Sequence, residues 1–359
     1  MNARERTTGT LEFRNMQGEG CVLETFFPWD KTVNNWIRQG LSPEFSPEHI
    51  YPAVEENESV RDYLNTGMTE GVAAYERQFG FDELRRVSFQ IPFFRFCKAG
   101  EIRDFASWER LKDQVRAEME QYCQEENLEK IFGNYRKGHE GGDYSVRLRA
   151  SGFFWTPRDL MGIEEHLYAF YDEPELMHDM NEFVLEMYLK YLVPLTRILQ
   201  PEVLLFPEDL SGKNGPMLSP ECFDEFVGAY YEKLFPVLRE SGAKNIFVDT
   251  DGDFRLLIPN FLKAGVDGFL PMDVNAGMDI VEVRKEFPDV KFIGAFNKLA
   301  LLEGTEGIDK EFQRLMPVIR QGGYIPGLDH QAAPDTLLEN YRYYIRKLKE
   351  AMKEAGADR

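Results

Sequence analysis

The sequence is short of cysteine, histidine and net positive charge, and it has no long apolar run. Its four cysteines (Cys21, Cys97, Cys123, Cys222) are scattered through 359 residues and form no CxxC pair. That argues against a disulfide framework and against a cysteine metal site, and fits free thiols in a reducing cytoplasm, the expected location. No apolar stretch approaches the ~20 residues of a membrane helix, so no membrane partner is expected. The opening "MNARERTTGTLEFR" lacks the apolar core of a signal peptide. Lys and Arg number 42 against 62 Asp and Glu, leaving a net charge of −20. Such a chain repels phosphate backbones, so nucleic acid is not an expected partner either. No Pro/Gly/Ser-rich linker or low-complexity segment divides the chain, and a single domain over residues 1–359 is expected.

What is present is apolar and rhythmic. Hydrophobic residues make up 43% of the chain, enough for a sizeable core. Short apolar runs at 21–27, 86–94, 144–152, 202–208, 245–249, 266–272, 290–296 and 322–327 read as strands, several of them apolar throughout as in a sheet covered on both faces. Helical patterns lie between them. "SPECFDEFVGAYYEKLFPVLRESG" (219–242) opens with an N-cap serine and an N1 proline and closes on a glycine. Eight strands alternating with helices predict an α/β fold, a parallel (β/α)8 TIM barrel. Residues 42–85 and 96–143 exceed the rhythm and read as insertions after the first two strands, either a lid or inert decoration.

In such a barrel the site forms beyond the C-terminal strand ends. The first strand is followed by Trp29, the second by Arg95 and the third by Trp155 and Arg158. Beyond the fourth lie Glu208, Asp209 and Lys213, and the fifth ends in "FVDTDGDFRLLIP" with Asp249, Asp251 and Asp253. Asp273, Asn297 and the pair Asp329, His330 follow the last three. Asp249 and Asp251 are two apart, so alternation points both to one side, whereas Asp253 suits a helix N-cap. Carboxylates and an imidazole are ligands for Zn, Mn or Fe. The same acids also serve as helix caps or as a solvated rim. Lys213 reads as a counter-charge to its neighbouring acids or to a substrate carboxylate.

The blocks "SGFFWTPRDLMG", "PEDLSGKNGPMLSPECFDEF", "VDTDGDFRLLIPNFLKAGVDGFLPMDVNAGMD" and "GGYIPGLDHQAAPDTLLENYRYYI" together resemble the uroporphyrinogen decarboxylase superfamily. The resemblance spans about residues 20–350 and implies a TIM barrel. One branch removes carboxylates from uroporphyrinogen and uses no cofactor. The other comprises cobalamin- or coenzyme-linked methyltransferases that hold zinc through a His-x-Cys pair and a late Cys.

Against the decarboxylase pattern, Arg38-Gln39-Gly40 is a partial echo of the Arg-Gln-Ala-Gly-Arg clamp, the pyrrole-binding aspartate is replaced near Arg95, and the late histidine matches at His330. Against the methyltransferase pattern, the His-x-Cys positions fall on Asp249 and Asp251 and the late Cys on His330. The resemblance therefore implies an enzyme of methyltransferase type, acting on a small methylated substrate. Asp249, Asp251 and His330 would be its catalytic and metal residues. Trp29, Arg95, Trp155, Arg158, Glu208, Asp209, Lys213, Asp273 and Asn297 would line its substrate site. A corrinoid-binding protein would be its partner, and a homodimer is its expected assembly. The alternatives are decarboxylation of a carboxylated porphyrinogen, with Arg38, Arg95 or Arg158 as the clamp and no cofactor, and a non-catalytic barrel that binds a ligand or corrinoid protein.

Overall fold

A computed structural model describes residues 1–14, 18–23, 25–50, 64–65 and 70–357. Seven strands run parallel in chain order: β1 (Leu84–Phe89), β2 (Ser145–Ala150), β3 (Val203–Pro207), β4 (Ile246–Asp249), β5 (Gly268–Leu270), β6 (Lys291–Phe296) and β7 (Tyr324–Leu328). Each pairs with the next, and the sheet curls with helices packed on its outer face. A two-residue strand, Leu64–Asn65, pairs antiparallel with the end of β1.

Strand side chains alternate between two cores. Val146, Leu148 and Ala150 of β2 face the helices, where they join a large aromatic-rich cluster. Inside the curl, Leu84, Val203, Leu205, Phe247, Leu270, Ile293 and Ile325 form a second, smaller apolar plug with Leu11, Cys21 and Leu23. The plug fills the N-terminal end of the interior and leaves the C-terminal end to polar residues.

Seven of the eight expected strands appear within a few residues of their sequence positions. The first, expected at 21–27, is not a strand among the described residues. Its residues still lie beside both sheet edges. The Val22 carbonyl accepts from Asp82 N–H at 2.8 Å, and a β-carbon placed on Gly327 of β7 would stand 2.0 Å from Thr25 Oγ1.

The expected insertion at 96–143 is mostly structural. Helices Phe105–Tyr122 and Glu125–Gly141 connect β1 to β2 and bury Trp108, Leu111, Val115, Leu128 and Phe132 in the outer core. Trp108 packs edge-on against Phe183 and donates to Asp179 at 2.5 Å. That anchorage makes them outer helices of the curl rather than a lid. Residues 51–63 and 66–69 of the other expected insertion lie outside the described residues.

Candidate functional site

The polar end of the interior is built from strand termini. At the end of β4 the chain turns through Asp249-Thr250-Asp251-Gly252 against a two-stranded ribbon, Ser211–Gly212 with Gly215–Pro216. Ser211 Oγ donates to the Asp251 carbonyl at 2.6 Å, and Asp253 N–H donates to the Gly212 carbonyl at 2.9 Å. Gly252 has φ +79°, and a β-carbon there would lie 2.6 Å from the Ser211 backbone, so the turn needs glycine on two counts. Asp253 accepts from Arg255 N–H at 3.2 Å and ion-pairs with the Arg255 side chain, a local turn contact; the N-cap position its sequence context suggested for it is taken by Phe254.

The turn delivers Asp251 to the far side of the mouth. Its Oδ1 lies 3.0 Å from Nε2 of His330, which follows β7. The ligand-capable atoms sort into two triads, Asp209–Asp249–Asp251 and Asp273–Asp329–His330, each with its atoms within 4.8 Å of one another. The sequence grouping of Asp249, Asp251 and His330 is therefore regrouped: Asp251 and His330 sit in different triads and join them. Asp209 accepts from Asp251 N–H at 3.4 Å and has φ +42°, a strained backbone that aspartate tolerates.

Electrostatics at this end are dominated by burial. Desolvation, then the neighbouring charge of Asp209, pushes Asp249 up to about 7. Burial, then Asp251, raises Asp209. Asp329 is pushed up to about 6 by burial, although Lys298 N–H donates to it at 2.9 Å. For His330, burial works downward, but the hydrogen bond and charge of Asp251 outweigh it and the net shift is upward. Phe26 stacks on the His330 ring, with centroids 5.9 Å apart.

The remaining expected residues divide. Asp273 and Asn297 stand at the mouth, turned partly into local capping: Asp273 accepts from Asn275 and Ala276 N–H, and Asn297 from Leu299 N–H. Trp29 is exposed on the rim, with Lys298 Nζ 5.9 Å from its ring centroid. Arg158 lies over the Trp155 ring at 4.2 Å and donates to the Asp209 carbonyl at 2.7 Å, so it braces the wall.

Three expectations need correction. Glu208 is fully buried, and its oxygens accept from Phe153, Phe154 and Trp155 N–H at 2.9–3.0 Å and from the Tyr231 hydroxyl. It locks the start of helix Trp155–Met161 to β3 and has no oxygen left for a substrate. Arg95 is paired with Glu118 at 3.2 Å. Lys213 is exposed at the ribbon tip and pairs with no acid among the described residues, so it does not counter the acidic cluster.

Sequence reasoning missed Arg147 and Arg149. Both stand on the face of β2 that pairs with Val203 and Leu205, hence toward the interior. The signal was the alternation in "SVRLRA", which puts both arginines on one face and Val, Leu and Ala on the other. Arg149 lines a cavity of about 370 Å³ together with Gln90, Cys97, Lys98, Ser151 and Trp155.

A curled parallel α/β sheet with acids and a histidine gathered at the strand C-termini is a TIM-like arrangement. The family model for uroporphyrinogen decarboxylase (URO-D) matches residues 150–351, more than half the chain. The chain belongs to the uroporphyrinogen decarboxylase family. No curated protein matches it. Among solved structures it is similar to a methyltransferase from Methanosarcina mazei, with 13% identity, a TM-score of 0.63, and coverage of 98% of this chain and 99% of that one. A Listeria monocytogenes protein described as a vitamin-B12 independent methionine synthase is 10% identical, with a TM-score of 0.40 and coverage of 92% and 96%. Among the described residues, no helix is long and apolar enough to cross a membrane.

Proposed function

We propose that this chain is an enzyme of the methyl-transfer type within its family, acting on a small methylated substrate at the mouth of the curl. Asp209, Asp249 and Asp251 hold a divalent cation or the substrate itself, with His330 against Asp251 and with Asp273 and Asn297 beside them. The observation that carries this reading is the 3.0 Å Asp251–His330 contact, which joins residues 79 apart at the positions where the family resemblance puts metal ligands. We also infer that residues 21–23 and 25 lie where a closing strand of a barrel would run. Cys21 and Leu23 contribute to the interior plug, and the segment contacts both edges.

The donor set fits a cation. Carboxylate oxygens of Asp209, Asp249 and Asp251 suit Zn, Mn or Fe, and the acids' mutual repulsion, visible in the raised Asp209 and Asp249, is relieved by positive charge. When bound, such an ion supplies Lewis acidity toward a substrate oxygen or nitrogen. The chain's own groups do the rest. Asp251 holds the His330 ring in place and favours its protonated form, so the imidazole is a proton source for a departing group. Phe26 shields that ring from water on one face. A corrinoid carried by a partner protein is the expected methyl carrier.

Decarboxylation of a porphyrinogen is the second reading, favoured by the inward arginines. Against it stands the engagement of Arg95 and Arg158 elsewhere. Elemental analysis after exposure to Zn, Mn or Fe and dialysis separates the two. Stoichiometric metal in the wild type, lost in the D249N/D251N double variant, is the expected result. A metal-free wild type that converts uroporphyrinogen to coproporphyrinogen would overturn the methyl-transfer reading.

A further inference from the structure

A cavity of about 370 Å³ lies beyond the C-terminal ends of β1 and β2, between loop 90–99 and helix Trp155–Met161. It is lined by neither triad of acids nor by His330. Its two walls are tied together by the backbone. Gly100 N–H donates to the Asp159 carbonyl at 2.9 Å, and Ile102 N–H to the Leu160 carbonyl at 3.0 Å. Glu208 in turn fixes the start of the helix. The cavity is therefore built into the fold, and its size is that of a metabolite pocket.

Its polar lining consists of donors without acceptors. The side chains of Arg149, Lys98, Gln90 and Ser151 make no hydrogen bond and no ion pair with any described residue. Thr156 is only 6% exposed, and its Oγ1 has no hydrogen-bond partner. A guanidinium carries five donors and an ammonium three, and neither can accept. Asp209 and Asp249 feel the Arg149 charge, which lowers their pKa values, but no hydrogen bond joins them to it. The acid on the cavity wall, Asp159, is exposed and accepts from Trp155 Nε1 at 2.7 Å. Two cations and three neutral donors thus face one acid that is already engaged. An oxyanion, with several lone pairs and a charge, satisfies such a set together. In a chain of net charge −20 the overall field does not attract anions, so these local donors must carry the binding.

The rest of the lining is apolar. Phe93, Trp155 and Tyr188 contribute to it, and Phe94 lines the cavity with 55% of its surface exposed. A bare hydrated ion leaves that surface uncovered. A ring attached to the oxyanion covers it by stacking or edge contact. We propose that this cavity is a binding site of its own for a small aromatic oxyanion, a carboxylate or a phosphate ester, whose charged group sits on Arg149 and Lys98 with Gln90 and Ser151 and whose ring lies against Phe94 and Trp155. The site does not depend on the reading of the mouth and stands whether or not a metal binds there.

Cys97 reports occupancy. It lines the cavity and is half-buried, whereas Cys21, Cys123 and Cys222 are buried. Burial holds its thiol up at about 11, so its alkylation by iodoacetamide is slow and is followed at alkaline pH by mass spectrometry. The full chain is titrated calorimetrically with benzoate, phenyl phosphate, benzyl alcohol and inorganic phosphate. Benzyl alcohol keeps the ring without the charge, and inorganic phosphate keeps the charge without the ring. Benzoate or phenyl phosphate is expected to bind at least tenfold tighter than both of these, and the tighter of the two identifies the anion. Saturation with it should slow Cys97 alkylation fivefold or more. Arg149→Met should weaken binding tenfold or more and Arg149→Lys by less, with unchanged near-UV circular dichroism confirming that both fold. Lys98→Met changes an exposed side chain, should weaken binding about threefold, and keeps the test open if Arg149→Met does not fold. No binding of either aromatic anion, or a preference below tenfold over benzyl alcohol or inorganic phosphate, overturns the proposal. So does an affinity unchanged in Arg149→Met or in Lys98→Met, or a Cys97 alkylation rate unchanged at saturation.

Discussion

Replacing Gly252 by alanine tests whether the turn that carries Asp251 is held by close backbone packing or by its φ angle alone. At φ +79° a β-carbon pays the left-handed penalty, about 1–2 kcal/mol. It would also stand 2.6 Å from the Ser211 backbone and 2.7 Å from Gly212 Cα, where no flexible side chain can give way. Forcing the ribbon aside adds about 1–3 kcal/mol, as overpacking does elsewhere. The control is Gly277, at φ +100° with nothing within 4 Å of the added carbon, so Gly277→Ala pays only the first cost. The expected losses are about 2–5 kcal/mol for G252A and about 1–2 kcal/mol for G277A. Urea denaturation followed by circular dichroism and by tryptophan fluorescence measures both, and coincident transitions validate the free energies. If the two variants lose the same stability within about 0.5 kcal/mol, the ribbon does not pack on the turn as described and the argument fails.

Two further perturbations address the charges inside. Asp249 is an acid whose folded pKa of about 7 lies above its ordinary 3.8, so the fold favours its protonated form. The resulting penalty is absent below the ordinary value, grows as pH rises and is complete above about 7. D249N should therefore stabilise the metal-free protein by about 2–4 kcal/mol at pH 8 and little near pH 4; equal effects at both pH values in urea titrations would refute this. R147M replaces a partly buried guanidinium, with no hydrogen bond or ion pair to a described residue, by an apolar chain of similar length. It should stabilise the ligand-free protein by about 1–4 kcal/mol in the same assay, and a loss of stability would show that Arg147 is a structural anchor.

The site illustrates what a linear reading can find. Asp249, Asp251 and His330 gather at one end of the sheet, as expected of polar residues that follow apolar runs, because a parallel sheet sends all its C-terminal ends to one side. That expectation overlooked Arg147 and Arg149, which lie within a strand, and it misjudged Glu208. Glu208 and Asp209 are neighbours, yet one turns to the helix layer and the other to the interior. Alternation makes them diverge but does not say which goes where. The choice between lid and decoration for 96–143 was open in the sequence because length alone does not show that Trp108 and its neighbours pack into the outer core.

Apolar runs, their spacing and the helix signals between them were sufficient for the α/β class, seven strand positions and the end at which polar residues gather, since each of these depends on local pattern. The pairing of Asp251 with His330, the locking of Glu208 by three backbone amides, and the sorting of the acids into two triads were decided only in three dimensions. They depend on how far the sheet curls and in what register its strands lie, and those quantities are set by packing between segments distant in the chain.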